Sequence, residues 1–325
     1  MKHCATMGIA AVIAAITSVT CTSIVMAQTY PTRAIRMIVT LAAGGPVDTV
    51  ARIVAARLGE QLGQQVVVDN RPGAGGSVGG EAVARAPADG YTLLMAANGT
   101  IAIAPHLISN LPYDAQRDFA PVSLVGTSPQ VLLVHPSLPV RTVKEFITLA
   151  QTRPGEINFG SAGNGATGHL ASELLRVSAK IDIVHVPYRG AGPAMADLVA
   201  GQTQMLITGV SSALPFINSG RLRALGVTSP KRISVLPTIQ AIVETLPGYE
   251  VISWYGIYTT AGTPAAVIGK LHQETVKTMA NPETRNRLIA AGVNPETNTP
   301  DEFAAMVRTE TAKWGKLIKS LNIRL

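Results

Sequence analysis

The chain has 325 residues, enough for two domains of ordinary size, and 47% hydrophobic with 14% charged residues is a globular composition that excludes a disordered polymer. Its formal charge is +7, spread along the chain without basic runs or interleaved aromatics, which excludes a nucleic-acid arm and favours encounter with small anions. Aromatics are only 4%, so a core of Ala, Val, Leu and Ile is expected, suited to helices packed on sheets.

The first residues read as an export signal. Met1-Lys2-His3 is a short basic start, Gly8–Val19 an apolar run, and Val25-Met26-Ala27 a small-residue cleavage site, so cleavage after Ala27 leaves Gln28 first. The run is shorter than the ~18 apolar residues a membrane span needs. Cys21 could carry a lipid, although Thr20 before it is a poor fit for lipid attachment. Cys4 and Cys21 both precede the cleavage site, so the mature chain has no thiol for disulfides, thiol catalysis or zinc. Only Lys2 is lost with the signal, leaving 7 − 1 = +6.

Beyond the signal, strand-length apolar runs alternate with helix-length amphipathic stretches. Strands are expected at Ile35–Leu41, Gln65–Asp69 and Thr92–Ala96, and helices at Asp48–Leu62 and Gly76–Arg85. A second cycle starts with a strand at Gln130–His135. Val143–Thr152 follows as a helix, with Thr142 as N-cap and Glu145 three residues on. Asn158–Gly160, Asp182–Val186, Gln204–Thr208 and Leu222–Val227 read as strands, and His169–Ser178 and Ala194–Ala200 as helices. Three helices opening on proline close the chain: Pro264–Met279, Pro282–Ala291 and Pro300–Ser320. This rhythm predicts an α/β fold with a largely parallel sheet. Two cycles and a helical return predict two lobes, 28–128 with 250–325 and 129–249. The chain is expected to cross between them near Ser128–Gln130 and Tyr249–Trp254.

Ligands of open α/β sheets sit at the carboxyl ends of strands, and each cycle has one unusual loop there. The first, Ala42-Ala43-Gly44-Gly45-Pro46-Val47-Asp48, can turn bare N–H groups toward an anion at a helix N-terminus, or can be a plain turn capped by Asp48. The second runs from Gly160 to His169. Ser161, Asn164 and Thr167 can donate to carboxylate oxygens there, while His169 reads equally as a locally packed helix residue. Gly163, Gly165 and Gly168 also match a dinucleotide fingerprint, but His185-Val186-Pro187-Tyr188-Arg189 after the next strand lacks the acidic ribose ligand. Arg189 could still meet a 2′-phosphate. Asn98-Gly99-Thr100 after a strand can line the cleft or form a polar turn. The glycine-rich stretch Arg71–Gly80 lacks the ending of a phosphate loop. No nucleophile elbow or metal-binding His pair is present, so no catalytic residue, metal or cofactor is expected.

These residues carry a resemblance. Ala43-Gly44-Gly45-Pro46 with Asp48, Val66 to Gly76, Asp89-Gly90-Tyr91-Thr92-Leu93-Leu94 and Leu111-Pro112-Tyr113-Asp114 occur in order in the first half. Gly160-Ser161-Ala162-Gly163-Asn164-Gly165 with His169-Leu170, and Val186-Pro187-Tyr188-Arg189-Gly190, follow in the second. The mature chain resembles, from end to end, the Bug family of periplasmic receptors of tripartite tricarboxylate transporters. The resemblance implies a two-lobed type II periplasmic-binding architecture that closes like a Venus flytrap on a small carboxylate, such as a di- or tricarboxylate or an aromatic acid. It implies a monomer that is not an enzyme and delivers its ligand to a membrane permease; a sensory role beside a signalling protein is the alternative. The ligand-binding residues it implies are Ala43, Gly44, Gly45, Asp48, Asn98 and Thr100 from one lobe, and Ser161, Asn164, Gly165, Thr167, His169 and Thr208 from the other. Two departures stand out: Thr40-Leu41 replace a usual Pro-Phe, and Thr208 replaces a frequent Asp. The second should disfavour amino-bearing ligands.

Overall fold

The computed structural model describes residues 30–321 apart from 42, 74, 75 and 189. The expected signal and its cysteines lie outside the described residues.

The chain begins with β1 (Ile35–Val39), helix α1 (Pro46–Leu62), β2 (Val66–Asn70), α2 (Ser77–Ala84) and β3 (Thr92–Ala97). Helix α1 forms because Val47, Val50, Ala51, Val54, Leu58 and Leu62 recur at helical spacing and bury one face. Pro46 fits its first turn, and Gly63 ends it in the left-handed conformation, returning its N–H to the Glu60 carbonyl. After β3 come a π-helical turn (Gly99–Ile103) and the short helix α3 (Ala104–Leu107). The long strand β4 (Phe119–Val134) then leads to α4 (Val143–Thr152), β5 (Asn158–Ser161), α5 (Thr167–Ala179), β6 (Val184–Pro187) and α6 (Ala191–Val199). Thr142 caps α4 as expected, its Oγ1 accepting from the Glu145 N–H at 3.1 Å; the Glu145 carboxylate reaches back to the Arg141 N–H at 2.6 Å. Next are β7 (Met205–Gly209), α7 (Val210–Asn218), β8 (Arg223–Val227) and β9 (Ile252–Thr260). Three helices close the chain: α8 (Ala265–Ala280), α9 (Pro282–Ala290) and α10 (Pro300–Leu321).

The strands form one curled sheet in the order β2-β1-β3-β9-β4-β7-β5-β6, with β8 also paired to β4. The outer trios β2-β1-β3 and β7-β5-β6 are parallel, but every pairing made by β4 and β9 is antiparallel. The expectation of a largely parallel sheet is therefore corrected to a mixed one. Strand β4 begins at Phe119, eleven residues before the expected Gln130, and β9 and α7 were not anticipated. Pro121, Gly126 and Pro129 break the apolar pattern of the first part of β4, which bulges between Pro121 and Ser123 and again between Leu124 and Gly126.

Strands β4 and β9 carry the chain between the two ends of the sheet, pairing Thr127 with Trp254, Ser128 with Ser253 and Pro129 with Ile252 where they cross. One core cluster runs through this crossing, from Ile101, Phe303 and Trp314 to Phe146, Phe159 and Leu170. A second packs α1 and α8 against β1 and β3, and a third packs α6 and α7 against β4 and β7. Each fully buried side chain of this kind contributes roughly 1.5–3 kcal/mol, so both ends carry their own core.

Candidate functional site

The carboxyl ends of β1, β3, β5 and β7 all open toward one cleft, whose cavity measures about 690 Å³. Its wall takes Leu41 and Ala43 to Val47 after β1, Ala97 to Thr100 after β3, Asn164 to Gly168 after β5, and Leu206 to Gly209 at the end of β7. Among the described residues, no Asp, Glu, Lys, Arg or His lines it. The lining polarity comes from backbone groups, amides and hydroxyls.

The first loop is held by an ionic brace. Gly44 sits at φ +80°, a conformation that glycine adopts without strain. Its N–H donates to Asp48 Oδ2 at 2.8 Å, and Arg52 Nε donates to the same oxygen at 3.0 Å. Arg52 also donates to Asn70 Oδ1 at 3.0 Å, and Asn70 Nδ2 donates to the Leu41 carbonyl at 3.1 Å. Burial of Asp48 works to raise its carboxyl pKa, but hydrogen bonds from Arg52, Gly44 and Asn70 and the Arg52 charge outweigh it and hold it below the ordinary carboxylate range. Gly45, Pro46 and Val47 then begin α1 on the cavity wall, so the positive end of its dipole opens into the cleft.

The second loop is held by neutral rings. His169 and His185 stack at 4.0 Å between centroids, and His185 stacks on Phe159 at 4.9 Å. The Gly165 N–H donates to His169 Nδ1 at 3.1 Å, which leaves the ring proton on Nε2, 4.0 Å from Glu173 Oε1. Ser161 Oγ lies 2.6 Å from His185 Nε2 and accepts from the Gly163 N–H at 3.1 Å. Burial pushes both imidazoles down to about 4, helped at His185 by repulsion from His169 and opposed there by Glu173, so both rings are neutral near pH 7. Helix α5 then starts at Thr167 with Ala166 as its N-cap, both on the cavity wall. Gly168 presses its α5 turn onto β7: a Cβ there would meet the Ile207 carbonyl oxygen well under 3.0 Å. The glycine of the dinucleotide-like match therefore serves close packing against a strand. Arg189, which that reading would use, lies outside the described residues.

Asn98 joins the two ends of the sheet. It is 1% exposed; its Oδ1 accepts from the Gly99 N–H at 3.1 Å and from Thr167 Oγ1 at 3.4 Å, while its Nδ2 donates to the Ile252 carbonyl at 3.4 Å. At the crossing strands, Gln130 Nε2 donates to Ser253 Oγ at 3.0 Å, leaving the buried Gln130 Oε1 without a partner.

Of the twelve residues expected to bind ligand, nine line the cavity: Ala43, Gly44, Gly45, Asn98, Thr100, Asn164, Gly165, Thr167 and Thr208. The structure places Asp48, Ser161 and His169 behind the wall, where each holds a loop through a backbone N–H. Ser161 is 0% exposed, so its contact with His185 is a brace and not a nucleophile presented to a solute. Of the two departures, Leu41 lines the cavity at 40% exposure, whereas Thr40 is fully buried and bonded to Thr100 Oγ1 at 3.0 Å. Sequence reasoning missed Ile103, Leu107 and Ile108 from the π-turn and α3, and Ser128, Gln130 and Tyr255 from the crossing strands. The expected crossings near Ser128 and Trp254 were the only local signal for the last three.

The sequence model for the tripartite tricarboxylate transporter family receptor matches residues 50–323. A UPF0065 protein from the tcbD–tcbE intergenic region of Pseudomonas sp. strain P51 is 41% identical over 291 residues, covering 89% of this chain and 86% of that protein. Protein BugT of Bordetella pertussis is 34% identical over 303 residues, 93% of each chain. A solved R. palustris protein with adipate has a TM-score of 0.82 at 34% identity, covering 91% of this chain and 100% of that one.

Proposed function

This chain belongs to the Bug family of tripartite tricarboxylate transporter receptors, and on that premise we propose that it captures a carboxylate in the cleft and passes it to a membrane permease. It is a solute-binding receptor by family. The observation that carries the carboxylate reading is the pair of loops at Gly44–Gly45 and Asn164–Gly168. They open the N-termini of two helices from opposite ends of the sheet onto one cavity that no described ionised side chain lines. Converging backbone N–H groups and helix dipoles suit a carboxylate better than a cation. The related R. palustris structure with adipate supports the same class of ligand.

In this reading Ala43, Gly44, Gly45, Asn98, Thr100, Asn164, Gly165, Thr167 and Thr208 face the ligand. Asp48, Ser161 and His169 position the loops from behind. The two lobes, 28–128 with 250–325 and 129–249, close about β4 and β9, and ligand shifts the population toward the closed form because both loops reach the carboxylate only there. The mature chain starts at Gln28, works in the periplasm as a monomer without cofactor, and releases its ligand chemically unchanged. Among the described residues, no helix is long and apolar enough to cross a membrane.

The test is a thermal-shift screen against carboxylates, followed by calorimetry and recovery of the bound compound. A carboxylate that raises the melting temperature and is recovered intact supports the reading, since a ligand that binds only the folded state stabilises it. A chain that no carboxylate stabilises, or that converts the compound, overturns it.

A further inference from the structure

The segment that leaves β3 supplies the cavity with both polar and apolar lining. Asn98, Gly99 and Thr100 open this segment beside the second loop, with Asn98 bonded to Thr167. The same segment then lines the same cavity with Ile103, Ala104, Leu107 and Ile108. A helical path advances about 1.5 Å per residue, so the apolar stretch from Ile103 to Ile108 runs roughly 8 Å along the cavity. That is the reach of about six to eight extended carbon atoms.

Along Ile103, Ala104, Leu107 and Ile108 no side chain on the cavity wall carries a hydrogen-bond donor or a positive charge. At the crossing strands Ser128 Oγ spends its proton on the Gly292 carbonyl at 2.9 Å, whereas Ser253 Oγ accepts from Gln130 and keeps its own proton, a neutral donor without charge. The Tyr255 hydroxyl, pushed up to about 12 by burial, is likewise a neutral group, and no cationic side chain among the described residues lines the cavity, so a second carboxylate would find no countercharge. A carboxylate set against Ile103, Leu107 and Ile108 would lose its water and gain no partner, whereas a methylene chain or ring would gain by leaving water.

We infer that the ligand carries one carboxylate, held at the two loops, and an uncharged apolar body of about six to eight carbons lying along Ile103, Leu107 and Ile108. This rests on the carboxylate-receptor reading and narrows it from carboxylates in general to monocarboxylates with an apolar tail.

The test is calorimetric titration of the purified chain with hexanoate, octanoate, phenylacetate, adipate and malate. At least one of the first three binds tenfold or more tighter than adipate, and octanoate binds at least as tightly as hexanoate. Ile108 is half-buried at the end of its helix, where a lysine can extend to water. Ile108→Lys therefore brings adipate affinity up tenfold while weakening octanoate. Adipate or malate outbinding every monocarboxylate overturns the inference and leaves the carboxylate reading standing, as does a folded Ile108→Lys chain with unchanged preference. Silence toward all five compounds overturns the inference, and the wider carboxylate screen then decides the receptor reading.

Discussion

The two loops that face each other across the cleft present the same surface, bare backbone at a helix N-terminus, and are held by opposite physics. The loop after β1 depends on charge: Asp48 takes the Gly44 N–H and Arg52 on one oxygen, and Arg52 and Asn70 carry the brace to Leu41. The loop after β5 depends on neutral rings and close packing, with His169, His185 and Phe159 stacked and Gly168 against β7. Asp48, Arg52, Asn70, His169, His185 and Phe159, whose side chains form the braces, do not line the cavity. Among the described residues, both loops are thus braced by side chains set behind the cavity wall, leaving backbone at the wall itself.

The sharpest way to break the comparison is at the glycines. Gly168→Ala drives a methyl into the Ile207 carbonyl and should cost about 3 kcal/mol. Gly44→Ala meets nothing within 4 Å and should cost only about 1 kcal/mol, for its positive φ. Equal losses in denaturant melts would mean the two loops are not built differently.

Next is the ionic brace. Asp48→Ala frees the Gly44 N–H and the Arg52 guanidinium, and about 1–2 kcal/mol of stability should go with them. Ligand affinity should fall as the first loop loosens, although Asp48 does not line the cavity. Asp48→Asn, which keeps an acceptor for Gly44, should recover part of both; an Asn variant no better than Ala would make the Arg52 charge the whole effect.

Acid should separate the loops without mutation. The folded protein keeps His169 and His185 neutral down to about pH 4, while in the unfolded chain they protonate near 6.5. Between those values the unfolded state binds more protons, so stability falls as pH drops from 6.5 toward 4. Allowing for solvent around the rings, the loss should be on the order of 1 kcal/mol, or about 2–4 °C in Tm. Asp48 acts lower: its pKa is depressed, so its contribution holds above the ordinary carboxylate range and goes only as pH falls beneath it. Melting curves flat from pH 7 to 4.5 would contradict neutral stacked rings.

The smallest effect should come from the contact that joins the two sides. Thr167→Val removes the 3.4 Å hydrogen bond to Asn98 and nothing else that holds either loop. Affinity should weaken a few-fold, about 0.5–1 kcal/mol, with no change in melting of the unliganded chain. An unchanged dissociation constant would mean that the Thr167 hydroxyl serves neither the Asn98 contact in closure nor the ligand it faces.

Much of the outer architecture was legible because its signals are local. Helix α1 announces itself by its apolar spacing, Pro46 and Gly63, and α4 by Thr142 and Glu145. The centre of the sheet was not legible. Strand β9 contains Gly256 and polar positions, and α7 contains Pro215, so neither shows a clean period in isolation. The antiparallel pairing of β4 with β9 joins residues more than a hundred positions apart, which no window of sequence contains.

The same division holds at the site. Sequence by itself determined two glycine-bearing loops at helix N-termini and the polar residues within them, because φ freedom and helix starts are properties of neighbouring residues. Tertiary structure alone decided which of those residues face the cavity. Asp48, Ser161 and His169 turned inward because each found a buried backbone N–H to accept, and burial favours the pairing of such groups over their exposure to a ligand. It also decided the apolar wall, since Ile103, Leu107 and Ile108 look like any core positions until the curled sheet leaves a cavity beside them.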